Sequence, residues 1–295
     1  MPKTFNILGR FFWICVALGW ISACASAPPE PKKNRLAGEI PRYDGVVKPI
    51  REPLFPRYAP CKGKFVHSLT KYAKYPDQNT IKEMVQDLEI TGSYDVQSMG
   101  EFLVRQVHFE ALVVDKQTYA PGMPLLQTRA IIDRRGHVKK IEFSAPALRR
   151  SNIDIEDMEK YMEESIRSMT VLPEGPIRNG DVITKFKGGV LPDILMDASR
   201  GGNTQRDLEY RLQGWSYFNQ RKVVVAAAHE AFTAEIGPSK SILFDVRLDG
   251  YNLYDFETFQ LISGERLITV TNNPRYKNPF VYRVFVRQSS EIETD

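Results

Sequence analysis

The chain has 295 residues, 26% of them charged and 42% hydrophobic. Its formal net charge of +4 drops by two once the leader residues Lys3 and Arg10 are set aside, too little to specify a polyanionic partner. The basic pairs Arg134-Arg135, Lys139-Lys140 and Arg149-Arg150 precede an acidic stretch from Asp154 to Glu164 that neutralises them, so no nucleic acid is expected as a partner.

In chain order, the first signal is a leader. Lys3 and Arg10 flank an apolar stretch from Phe11 to Ala23, 13 residues long, short of the roughly 18 that would span a bilayer as a helix. The stretch closes on Ile21-Ser22-Ala23-Cys24. That tetrapeptide resembles the lipobox of bacterial lipoproteins. The resemblance implies that Cys24 receives a diacylglycerol and that a peptidase recognising Ile21, Ser22 and Ala23 cuts before it. The new amino terminus would then be acylated. The small side chains of Ser22 and Ala23 suit a narrow protease site. Ala23-Cys24-Ala25 also meets the Ala-x-Ala pattern of an ordinary secretory signal, so cleavage after Ala25 is the competing expectation. Two or three acyl chains would hold the protein firmly, at about 0.8 kcal/mol per buried methylene. Ala25 is not the Asp that resembles an inner-membrane retention signal, which places the expected anchor in the outer membrane, facing the periplasm. Removal of Cys15 with the leader and lipidation of Cys24 leave Cys61 as the one thiol of the mature chain, so no intramolecular disulfide is expected.

Residues 24–60 read as the lipidated cysteine and a proline-rich tether. Prolines at 28, 29, 31, 41, 49, 53, 56 and 60 prevent a regular helix or central strand. A passive spacer is the simplest reading. The repeat Pro-Arg-Tyr at 41–43 and 56–58 offers a second, a docking peptide that presents a cation beside an aromatic ring.

Beyond residue 61 the pattern is mostly that of strands. Over 102–114 the apolar residues Leu103, Val107, Phe109, Ala111 and Val113 recur with a period of two, predicting a strand with one buried face. Shorter strands are predicted over 128–133, 138–143, 242–248, 259–262, 267–271 and 280–286. Hairpin turns are expected at Arg135-Gly136, Asp249-Gly250 and Ser263-Gly264. One amphipathic helix is predicted over 152–170, where Met158, Tyr161, Met162, Ile166 and Met169 recur at helical spacing behind an acidic first turn. The boundaries that follow are 1–23 for the signal peptide, 24–60 for the tether, 61–187 for a first β unit, 188–203 for a glycine-bearing connector and 204–295 for a second β unit. Gly92 leads to Val107-His108-Phe109-Glu110-Ala111 at nearly the distance that separates Gly214 from Ala228-His229-Glu230-Ala231-Phe232, a hint of duplication. The fold class is thus mainly β (α+β), with antiparallel curved sheets or half-barrels and one long helix. In outline the body resembles the open β-barrels of bacterial lipoprotein-carrier and lipid-transfer proteins.

Chemistry is sparse. There is no Gly-x-Ser-x-Gly elbow, zinc helix, phosphate loop or dinucleotide fingerprint. Of the histidines 67, 108, 137 and 229, His108 shares a strand face with Glu110, yet two ligands do not make a zinc site, and no metal or cofactor is expected. Asp245, Asp249, Asp255 and Glu257 would suit glycosidase chemistry only if two of them faced each other across a cleft. No catalytic residue is assigned. The function expected is therefore a lipid-anchored, non-enzymatic binding or scaffolding module of the envelope, with an envelope protein as partner. Tyr210, Trp215, Tyr217, Phe232, Phe244, Tyr251 and neighbouring aromatics support the alternative of an apolar-ligand or lipid carrier with an open β groove. An envelope hydrolase is the third class.

Overall fold

The computed structural model describes residues 39–77, 80–119, 126–144, 171–186, 208–236, 242–272 and 280–293. The signal sequence with Cys24, the helix expected over 152–170 and the connector expected over 188–203 lie outside the described residues.

Among the described residues the chain is all β. Twelve strands run β1 Cys61–Asp77, β2 Thr80–Met99, β3 Phe102–Val114, β4 Gln117–Tyr119, β5 Leu126–Asp133, β6 Val138–Ser144, β7 Val182–Phe186, β8 Leu208–Phe218, β9 Arg221–Ile236, β10 Ile242–Asp255, β11 Leu261–Asn272 and β12 Val281–Ile292. They form one antiparallel open sheet in the order β6-β5-β3-β2-β1-β12-β11-β10-β9-β8-β7, with β4 added to the end of β3. The strands expected in the first and second units are joined by β1 and β12, paired from Gly63↔Ile292 to Lys74↔Val281. β2-β3-β5-β6 and β8-β9-β10-β11 progress in the same direction across this sheet. Gly92 and Gly214 occupy matching second strands, each at a register shift, although the extra residue is Glu110 on β3 in one case and Gln213 on β8 in the other.

Alternation decides the faces. Phe65, His67, Leu69, Lys71 and Ala73 of β1 are buried on one side, as are Leu88, Ile90, Tyr94 and Val96 of β2. This core face carries a continuous cluster from Leu103 on β3 to Leu212 on β8 and Ile183 on β7. A smaller cluster of Val223, Val225, Leu253 and Ile262 covers part of the other face.

The sheet is strongly curled at the end where β1 begins. Tyr58 N–H donates to Arg134 O in the β5–β6 turn (2.7 Å), and the next residue, Ala59, donates to Thr258 O in the β10–β11 turn (3.2 Å). Six strand spacings separate those turns, about 29 Å in a flat sheet at ~4.8 Å each. Two successive amides reach acceptors only about 10 Å apart, so the sheet must bend to bring the turns together. Both turns are built on an aspartate. Asp133 accepts from the N–H groups of Arg135 (2.8 Å) and His137 (3.0 Å), and Asp255 from those of Glu257 (3.0 Å) and Thr258 (2.8 Å).

From residue 39 onward the proline-rich segment does not stand off from the body. It is packed on the sheet, with Pro41, Pro56 and Tyr58 buried and backbone bridges Lys48↔Trp215 and Leu54↔Ile177. Each Pro-Arg-Tyr repeat docks its tyrosine intramolecularly, Tyr58 in the core and Tyr43 against Tyr251. Prolines permit this because the segment needs extended backbone and only isolated bridges.

Two expected turns are corrected. Asp249-Gly250 and Ser263-Gly264 lie inside β10 and β11. A Cβ on Gly250 would stand 2.6 Å from Glu265 O and 2.8 Å from Arg266 Cβ, and one on Gly264 would stand 2.5 Å from Asn252 Oδ1. Both glycines admit a close neighbour rather than a chain reversal. The separate strands expected over 259–262 and 267–271 are accordingly one, β11, which Phe259 and Gln260 precede.

Gly214 holds the segment in place in the same way: φ is +150° and an added Cβ would sit 2.3 Å from Lys48 O. Gly214→Ala should therefore break the Lys48↔Trp215 bridge without unfolding the sheet, seen as faster tryptic cleavage after Arg42 with circular dichroism unchanged.

Candidate functional site

Residues 40–49 cross the outer face of β8–β10 as a strap and enclose a groove of about 510 Å³. Ile40, Pro41, Arg42, Tyr43, Val47 and Pro49 form its roof, and Val225, Ala227, Ala228, Gly250 and Tyr251 the apolar part of its floor. Small floor residues leave the space. Tyr43 fastens the strap: its ring meets Tyr251 at 5.8 Å, and its hydroxyl donates to Ser216 Oγ (2.9 Å), which itself donates to Val46 O (2.8 Å).

The polar wall follows from strand register. His229 on β9 lies directly opposite Asp249 on β10, and Arg247, two residues earlier, shares the same face. The Asp249 side chain is only 5% exposed, whereas His229 is 69% and Arg247 48% exposed. Arg247 Nε donates to Asp249 Oδ2 (2.6 Å) and a terminal nitrogen to Oδ1 (3.4 Å), while His229 Nδ1 lies 2.5 Å from Oδ1. An ionised carboxylate can only accept, so Nδ1 carries the proton and the ring is held with Nε2 turned outward. Gln213 and Arg42 complete the polar lining. A buried carboxylate thus fixes the position of two outward cationic or polar groups beside an apolar channel. That arrangement can receive an acidic group and pack an attached apolar one.

The residues singled out in the sequence distribute differently. Asp245 accepts from Thr233 (3.0 Å) and Asp255 pairs with Arg221 (3.3 Å), so these carboxylates of β10 have separate partners and no facing pair forms with Asp249. Glu110 accepts from Ser93 (2.7 Å) beside the half-buried His108, and among the described residues no group of three metal-ligating side chains comes together. Tyr210, Phe244, Tyr254 and Phe259 are buried in the core, while Tyr251 belongs to the groove on the other face. The His229–Asp249–Arg247 set was missed because Asp249 reads as a turn residue before Gly250. Extending the alternation through that glycine would have found it.

A second polar group lies within the core face. Arg266 on β11 is buried opposite Gly250 on β10, whose lack of a side chain gives its stem room, and its guanidinium interacts with the Tyr210 hydroxyl on β8. His67 on β1 is buried too; burial, and then the charge of Arg266, pushes its pKa down to about 3. The folded state therefore binds fewer protons than the unfolded chain between pH ~6.5 and ~3, so this group's contribution is complete above ~6.5 and is lost as pH falls. The slope reaches about 1.4 kcal/mol per pH unit. Urea denaturation of His67→Gln should lose this part of the pH dependence between pH 6.5 and 4, whereas the natural chain weakens steadily.

Fold and groove together define a curled, open antiparallel β sheet with a ligand-sized cleft on its outer face. No protein family matches the sequence, and no curated protein is similar to it at a significant level. Among solved structures the chain is similar to lipovitellin, in a structure describing that protein's interactions with lipid, at 9% identity and a TM-score of 0.41. The likeness covers 80% of this chain and 26% of that one, so the chain spans about a quarter of that protein's length.

Proposed function

We propose that this protein is a non-enzymatic binding module of a bacterial envelope, held at the membrane by lipid on Cys24, which takes its ligand in the groove beneath the strap. The observation that carries the reading is the convergence of Arg247, His229 and Arg42 on a mainly apolar cleft of about 510 Å³, within the ~300–1,000 Å³ usual for small-molecule sites. The ligand is an amphiphile with an acidic group, held by the cations, and an apolar part laid between Tyr43, Tyr251 and Val47. This joins the binding and apolar-carrier classes in one site. The hydroxyl beside the groove, Ser216, is engaged with Tyr43 and Val46, which favours binding over nucleophilic chemistry.

Anilinonaphthalene sulfonate, an apolar sulfonate, is a suitable probe for the purified full-length chain. A hydrogen bond to a charged group contributes about 1.5–3 kcal/mol, so Arg247→Gln should weaken binding about tenfold or more. Arg42→Gln, an exposed strap residue, should weaken it less. Equal affinities in all three folded proteins would refute the groove as the site. Separately, Cys24→Ala should move the protein from the membrane to the soluble envelope fraction, and unchanged retention would remove the lipid from the proposal.

A further inference from the structure

Exposed apolar side chains are not spread evenly over this molecule. Eight remain exposed among the described residues, and six of these, Val46, Val47, Phe55, Met99, Val171 and Tyr217, lie toward the curled end of the sheet, with Met84 and Val85 elsewhere. Val46 is 77%, Tyr217 61% and Phe55 60% exposed, values that a folded chain keeps for side chains meeting something other than water when they cluster. Their placement is fixed by backbone. Lys48 pairs with Trp215, Leu54 with Ile177, Leu172 N–H donates to Arg135 O, and Met99 ends β2 at the Gly100 turn.

An aromatic and lysine array stands among them. The Trp215 and Tyr217 rings meet edge to face at 5.6 Å. The ammonium groups of Lys48 and Lys222 lie 5.0 and 4.9 Å from the Trp215 ring, and Lys222 also lies 3.6 Å from the Phe256 ring. Tryptophan and tyrosine favour the boundary between hydrocarbon and water, where lysine stems lie along apolar surface and their charges stay wet. Arg51 adjoins Glu52 in the chain, Arg178 N–H donates to Asp181, and the charges of Lys48 and Lys222 lie against aromatic rings, so attachment does not require an anionic leaflet.

We infer that the curled end of the sheet, through Val46, Phe55, Trp215 and Tyr217, rests on the membrane interface, with zwitterionic lipid as the partner. The inference rests on the lipid anchor proposed above for its address. Residue 39 follows Cys24 by 15 residues, which at ~3.3–3.6 Å each confine the body to within about 50 Å of the anchor. A surface held so close meets the bilayer at high effective concentration.

Trp215 is a built-in reporter, since Trp13 and Trp20 precede Cys24 and are lost with the leader. The mature chain, made from its full-length precursor, would be incorporated in phosphatidylcholine vesicles with and without bromine on the acyl chains, and its acylation checked by intact mass. The expected result is a blue shift of Trp215 emission on vesicles and its loss with brominated lipid, both reduced in Val46→Ser/Tyr217→Ser with circular dichroism unchanged. An acylated, vesicle-bound chain whose Trp215 emission is the same in both lipids overturns the inference and leaves the anchor standing. A chain without acyl mass that is still quenched supports the surface and removes the anchor. A blue shift that depends on protein concentration without vesicles would assign the patch to a second copy of the chain and overturn the membrane reading.

Discussion

One stretch of extended chain, residues 48–60, sets the shape on which the rest of the structure depends. By bonding with Tyr58 and Ala59 to turns six strands apart, it converts an open sheet into a curled one. The core cluster, which runs from Leu103 on β3 to Leu212 on β8, lies on one face of that sheet and includes Tyr58. Tyr58, 4% exposed, links the backbone bonds to the burial that drives them. The same stretch continues backward into the strap over β8–β10, so the curl, the groove roof and the exposed end are consequences of a single path.

How much of this could be read from the amino-acid order depends on how local each signal is. β3 was legible to its bounds, because Leu103, Val107 and Phe109 keep the period of two although Arg105 interrupts it, and the strand's hydrophobic face is its own. β1 was not, because His67 and Lys71 occupy core-facing positions and blur the period. Gly250 and Gly264 misled for a related reason: a glycine needed for a turn and one needed for a neighbour's close approach look alike until the register of β10 against β11 is known. Register is a long-range property. The site suffered with the strand, since reading Asp249 as a turn residue removed it from the face it shares with Arg247 and opposite His229.

The core-face polar group follows the same logic of small residues making room for large ones. Arg266 lies buried beside Gly250, and an alanine there would push into its Cβ. Burying a guanidinium is costly unless polar groups receive it, and Tyr210 is one that does. The charge so installed acts at a distance on His67, adding to burial in keeping that ring neutral. Gly250 on β10 thus makes room for the charge that, after burial, is the second cause of the lowered pKa of His67 on β1, with β12 between β11 and β1.

The strap is held differently from the sheet it covers. Ladders such as β1–β12 and β9–β10 engage a dozen or more residue pairs each, whereas residues 40–48 are fixed by the Lys48↔Trp215 bridge, the Tyr43 hydroxyl, the Ser216 bond to Val46 O and the Tyr43–Tyr251 contact. At a net ~0.5–1.5 kcal/mol per hydrogen bond, and a similar amount for an aromatic pair, that attachment is a small part of what holds the body. Local opening is drawn from the parts of a structure with few such contacts. The roof of the groove therefore opens at lower free energy than its floor, and any ligand that bridges Arg42 above and Arg247 below adds directly to the attachment of the strap. Occupancy of the groove and the hold of the chain's amino-terminal segment are thus two readings of one equilibrium.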